Sequence, residues 1–264
     1  MSNNKQSPLK QSIKLAWPIS LQSILVTMLG MSDIMMVGHL GDSAVAAVGL
    51  GNRIQFVFLI ILAGLASGVG TLSAQHFGAG QVSIIKQIIV KTFVIAIAIL
   101  LPILLITFLF SDHVIGIATT DPSVIKAGIS YLWLTMPSLF FVVIVMVFEN
   151  ALRGLGQVVF PMFISTIAII TNIILNYWLI NGGLGIEAMG VVGAALATLL
   201  ARALHALLIL AYLAKVKHSV FPTKIFCADF YNKNEWVKLI TLVWPMMLSF
   251  GVWSLGTFVY QLIY

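Results

Sequence analysis

Met28-Leu29-Gly30-Met31-Ser32-Asp33-Ile34-Met35-Met36-Val37-Gly38 sets one carboxylate inside an apolar stretch. In hydrocarbon an acidic side chain costs at least about 2.5 kcal/mol, so it persists there by facing a cavity or a partner. Upstream to residue 15 the stretch carries no other charge, which makes 15–37 long enough to cross a bilayer. The other acids, Asp42, Asp112, Asp121, Glu149, Glu187, Asp229 and Glu235, fit in loops or at helix ends. Asp33 is therefore the first candidate for an ion-coupling residue.

Composition extends the membrane reading to the whole chain. Hydrophobic residues make up 60% and charged residues 8%, against about 25% charged in soluble domains. Apolar runs fall at 15–37, 46–73, 88–110, 128–148, 160–181 and 189–213, and a seventh begins near 239 and reaches Tyr264. The segment 1–14 is polar, with Lys5, Lys10 and Lys14, and the run after it is too long for a cleavable leader. With the N-terminus inside, eleven Lys and Arg residues fall in cytoplasmic segments, while only Arg53 and Lys126 fall outside. That asymmetry sets orientation. The net charge of +6 then reports topology, and its dispersal over several inner segments argues against a nucleic-acid partner. Cys227 is the single cysteine, so no intrachain disulfide exists.

Gly64-Leu65-Ala66-Ser67-Gly68 and the set Gly190, Ala194, Ala197 and Ala201 form small-residue faces where helices can approach closely. Pro18 and Pro161 suit first helical turns, whereas Pro102 and Pro137 fall inside apolar runs and predict kinks. Trp17-Pro18 at the head of the first span is echoed by Trp244-Pro245 at the head of the seventh, each after a basic segment. The six spans that precede the seventh would return the chain to the same side, giving parallel repeats. The expected organisation is a cytoplasmic tail 1–14, a six-helix lobe 15–213, a cytoplasmic linker 214–238, and 239–264 as the opening of a second lobe that is otherwise missing.

Five motifs carry a family resemblance: Trp17-Pro18; Asp33-Ile34-Met35-Met36-Val37-Gly38-His39-Leu40-Gly41; Gln75-His76-Phe77-Gly78-Ala79-Gly80; Leu152-Arg153-Gly154-Leu155-Gly156 followed by Pro161; and Asn172-Ile173-Ile174-Leu175-Asn176-Tyr177. With these the chain resembles the MATE (multidrug and toxic compound extrusion) family, in its NorM-like branch. The resemblance implies an all-α integral membrane protein, the six-helix lobe of a twelve-helix antiporter plus a truncated seventh helix. It implies export of cationic or amphipathic drugs in exchange for Na⁺ or H⁺, with no other cofactor, no enzymatic activity, and a bacterial cytoplasmic membrane as location. The cation site it implies comprises Asp33, Asn172, Asn176 and Thr198, with Na⁺ at Asp33, Asn172 and Asn176 as one possible occupant. Many relatives carry a carboxylate in the seventh helix, and residues 239–264 contain none.

Helix arithmetic supports that set separately. At about 1.5 Å per residue, Asp33 lies about 6 Å from the outer end of its span, Asn176 and Asn172 about 8 and 14 Å, and Thr198 about 14 Å. Asn172 and Asn176 share a face at i, i+4. Their oxygens are hard donors of the kind a small cation takes, and protonation of Asp33 would serve coupling equally well. The alternatives are interhelical hydrogen bonding by Asn172, Asn176 and Thr198, and a structural pairing of Asp33 with Arg53 or Arg202. Glu149 and Arg153 read as an interfacial i, i+4 ion pair. Arg202 and His205 read as snorkelling or bundle-interior residues. Phe140, Tyr177 and Trp178 are weaker candidates for a substrate cavity. A related flippase for lipid-linked sugars and a non-transporting truncated membrane protein are the rival functions.

Overall fold

A computed structural model describes residues 8–183, 185–222 and 233–263. Cys227 and the middle of the expected linker lie outside the described residues. The helices are α1 (Pro8–Val37), α2 (Asp42–Gly78), α3 (Val82–Leu109), the short α4 (Ser111–Gly116), α5 (Pro122–Thr135), α6 (Leu139–Gly154), α7 (Val159–Asn181), α8 (Gly190–Lys215) and α9 (Lys233–Ile263). Six of them are long and apolar enough to cross a membrane, and α5 with α6, bent by 46°, passes the same test as a pair, giving seven spans if the pair is counted as one.

The prolines behave differently from one another. α3 runs unbroken through Pro102, whereas Pro137 lies in the break between α5 and α6. Pro161 does sit in the first turn of α7. Pro18 does not start a helix, because α1 begins ten residues earlier at Pro8 and encloses it. Polar residues before the apolar run extend this helix, since helix propensity does not require burial. Lys91 is buried in α3, with its ammonium 5.7 Å from the centre of the Trp236 ring.

Backbone approach is closest where side chains are smallest. A Cβ on Gly68 would lie 2.6 Å from Val243 Cγ2, and one on Gly64 would lie 2.9 Å from Met247 Cα, so the α2 glycine face receives α9. α7 and α8 meet at Gly193, whose Cβ would fall on the carbonyl oxygen of Leu179. Leu65, Ile85, Ile89, Leu100, Leu139, Phe148 and Leu152 fill the main core. Outside the spans, Asp121 caps α5: Ser123 donates its hydroxyl (2.7 Å) and its amide (2.8 Å) to the carboxylate, holding that carboxyl below its ordinary range. Beyond α8, burial pushes the His218 imidazole down, and its ring bonds Gln157 at 2.9 Å.

Gly193→Val should abolish stable packing of α7 on α8, because the added carbons meet backbone that cannot rotate away. Thermal unfolding in detergent should fall well below wild type. Gly256→Ala, with open space around its Cβ, should leave it within experimental error.

Candidate functional site

α1 turns a narrow face inward. Pro18, Gln22, Asp33 and Val37 are its buried residues among those whose side chains are described, and the spacings of four and eleven return to one side of a 3.6-residue helix. Gln22 and Asp33 are the two polar members. Each reaches α7: the Gln22 amide donates to Ser165 Oγ at 2.6 Å, and the Asn176 amide donates to Asp33 Oδ1. Both pairs are separated by 143 residues in sequence. A constant offset over eleven residues requires α1 and α7 to run parallel and in register. Parallel travel needs an odd number of spans between them, so beside α2 and α3 the pair α5 and α6 counts as one span.

The rung nearer the C-terminal ends of α1 and α7, called outer after the orientation expected from the sequence, holds the expected cation-site residues. Asp33, Asn172, Asn176 and Thr198 are all buried. Asn176 Nδ2 donates both to Asp33 and to Asn172 Oδ1, the latter at 3.0 Å. With both amide hydrogens used, Asn176 Oδ1 is left buried without a hydrogen-bond partner among the described residues. An unpaired buried acceptor costs about 1–3 kcal/mol, so its presence beside a carboxylate is a functional pointer. Thr198 is not bonded to this trio; its hydroxyl donates to Ala194 O, one turn back in α8, at 3.0 Å.

Arg202 follows Thr198 by one turn and goes into the bundle. Its Nη1 donates to Ser138 Oγ at 2.7 Å and its Nη2 to Gln55 Oε1 at 3.0 Å. Gln55 in turn donates to Thr135 O at 2.7 Å, a carbonyl at the α5–α6 break. Among the described residues no salt bridge joins Arg202 to Asp33. Tyr131 packs nearby, its hydroxyl donating to Asn52 Oδ1 at 2.7 Å.

The inner rung overturns one expectation. Glu149 is no interfacial residue: it is buried, so Asp33 is not the single acid inside the bundle. Gln22 Nε2 lies 3.1 Å from both Glu149 oxygens, Ser165 Oγ donates to Oε1 at 2.8 Å, and His205 Nε2 stands 3.4 Å from the same oxygen. The i, i+4 pairing with Arg153 is present at 3.4 Å, and Arg153 also donates to Gln22 Oε1 at 2.7 Å. The carboxylate is buried because α1, α7 and α8 close over it with donors. Gln22 and Ser165 gave no warning as neutral residues. The eleven-residue spacing from Gln22 to Asp33, matched by that from Ser165 to Asn176, was the available signal.

The aromatic candidates do not share a cavity. Phe140 lines an apolar chamber of about 390 Å³ with Phe93, Leu100, Val143 and Phe148. Tyr177 is 68% exposed, and Trp178 donates its indole N–H to Gly183 O at 2.8 Å. Helical phase separates them, since Tyr177 follows the inward-facing Asn176 by about 100°.

The MatE family model matches residues 18–178, more than half of the chain and inclusive of both rungs' α1 and α7 residues. The chain belongs to the MATE family. Members of this family are transporters and not enzymes. A probable multidrug resistance protein NorM of Photorhabdus laumondii is 32% identical over 213 residues, covering 77% of this chain and 45% of the relative. The corresponding protein of Thermotoga maritima is 31% identical over 194 residues, covering 73% and 42%. The chain thus spans less than half the length of these relatives. Among solved structures, the outward-facing conformation of a multidrug resistance MATE family transporter superposes with a TM-score of 0.84 at 25% identity, over 96% of this chain and 55% of that one.

Glu149→Ala should destabilise the MATE lobe by about 1–3 kcal/mol, because it takes from the buried Gln22 amide and the Ser165 hydroxyl the carboxylate both donate to, leaving Gln22 only its bond to Ser165. Glu149→Gln should cost less, retaining an oxygen for Ser165. Chemical unfolding in detergent measures both, and equal stability of all three proteins would contradict the role of this rung.

Proposed function

We propose that the chain is the N-terminal lobe of a multidrug exporter in a bacterial cytoplasmic membrane, N-terminus inside, driven by exchange for Na⁺ or H⁺ at Asp33. The observation that carries this reading is the buried Asp33–Asn176–Asn172 cluster with its spare Asn176 oxygen. A carboxylate, two amide oxygens and the Thr198 hydroxyl make a hard-oxygen donor set of net charge −1, suited to a small cation. In the described arrangement an N–H of Asn176 faces the carboxylate. Rotation of that amide would present Oδ1 instead, and the same oxygen can accept from a protonated Asp33. One side chain thereby distinguishes the discharged site from the charged one, whichever ion is used.

The substrates proposed are cationic or amphipathic compounds, in keeping with relatives that bear the multidrug resistance name. α1 supports a second lobe as partner: Trp17, Met28, Met31 and Met35 are each more than half exposed, on the side away from the two rungs. Cation entry from outside would release the drug outward, and drug binding from inside would displace the cation.

Asp33→Asn in the full-length transporter should abolish drug resistance of the host cell while leaving the amount of protein in the membrane unchanged. Resistance retained at the wild-type level would refute the assignment.

A further inference from the structure

Beyond α8 the chain turns back and packs on the lobe. Lys217 takes a left-handed conformation (φ 50°), and His218 N donates to Leu213 O at 2.9 Å, the closing bond of a helix C-terminal turn. A second turn follows, in which Phe221 N donates to His218 O at 3.0 Å. Val220 is thereby buried in the main core, and the Phe221 ring stacks on Phe148 with 6.5 Å between centres. Phe221 and Pro222 join the lining of the apolar chamber that Phe140 and Phe148 share. The His218 ring fastens this turn from both nitrogens. Nδ1 accepts from Val220 N at 3.3 Å and so carries no proton, which leaves Nε2 to donate to Gln157 Oε1 at 2.9 Å. Only a neutral imidazole makes both bonds.

We propose that His218 is an acid-released latch: the neutral ring seats residues 216–222 on the lobe, and protonation of Nδ1 unseats Val220 and Phe221 and opens the chamber at that end. A proton on Nδ1 would point at the Val220 N–H, donor against donor, and would strand that amide without its acceptor. No neighbour favours the charged ring. The cations around it are Lys215 and Lys217, both exposed on its own segment, and Arg153 at the end of α6, which Gln22 and Glu149 hold. Among the described residues no carboxylate forms an ion pair with His218. Burial accordingly holds the imidazole below its ordinary value. The seated segment prefers the neutral ring and the released one does not. Seating is therefore fully favoured above the ordinary value of about 6.5 and is lost as the pH falls below it. The latch requires nothing of the Asp33 site.

A nitroxide attached at Ser219→Cys, an exposed position, reports seating of the segment in the purified chain, with Cys227, the single native cysteine, replaced by Ser. Between about pH 8 and about pH 5 the ratio of mobile to immobile spectral component should rise severalfold, by at most about tenfold per pH unit below about 6.5, and should fall again when the pH is restored. In His218→Asn the side-chain oxygen can accept from the amide two residues on without titrating, so the pH response should vanish whatever the starting mobility. His218→Ser, whose hydroxyl can make the same bond, serves the comparison should the Asn variant not fold. A native His218 chain whose spectrum is unchanged over this range would overturn the proposal. So would a pH response of undiminished size in the variant that lacks the imidazole.

Discussion

A polar group inside a membrane lobe must find its partner inside that lobe, and two such partnerships organise this protein. Gln22 and Asp33, eleven residues apart on α1, meet Ser165 and Asn176, eleven residues apart on α7. Water cannot take over these bonds in hydrocarbon, so each mismatch of register would strand several buried polar atoms. The two rungs therefore fix α1 against α7 in direction, rotation and height together. Apolar packing alone could not do so, because lipid tails compete equally for an apolar helix face.

The rungs differ in how fully they are satisfied. At the inner one, donors from α1, α6, α7 and α8 converge on Glu149, and Arg153 balances its charge. Such a network resists rearrangement, as suits a structural clamp. The outer rung is less fully satisfied: among the described residues no Lys or Arg side chain forms a salt bridge with Asp33, and nothing donates to the Asn176 amide oxygen. Stability concentrated at one level and deficiency at the other is the arrangement expected where one end of a helix pair must hold while the other changes state.

Much of this was legible in the residues. Asp33 announced itself by its apolar surroundings, and Asn172 and Asn176 by their i, i+4 spacing on a run free of charged residues. The span count survived because length and hydropathy are local properties. Tertiary consequences were harder to read. Glu149 sits near the end of an apolar run beside Arg153, a pattern shared by every interfacial pair, and nothing local says that three other helices close over it. Pro102 and Pro137 look alike in sequence, yet α3 continues through one and the span breaks at the other. At the break Ser138 and Gln55 both bond to the freed Thr135 carbonyl, compensation that no window around Pro137 could reveal. The cradle of Arg202 was invisible for the same reason.

In the proposed exchange, Asn176 changes its bond to Asp33 when the site is charged. Infrared difference spectroscopy of the purified chain, with carbon-13-labelled asparagine to isolate the amide carbonyls, tests this directly. Either adding Na⁺ at alkaline pH or acidifying without Na⁺ should shift the Asp carboxylate band and an Asn carbonyl band together, and both shifts should vanish in Asp33→Asn. A carboxylate band that changes while the Asn carbonyls stay fixed, or bands that respond to neither ion, would contradict it.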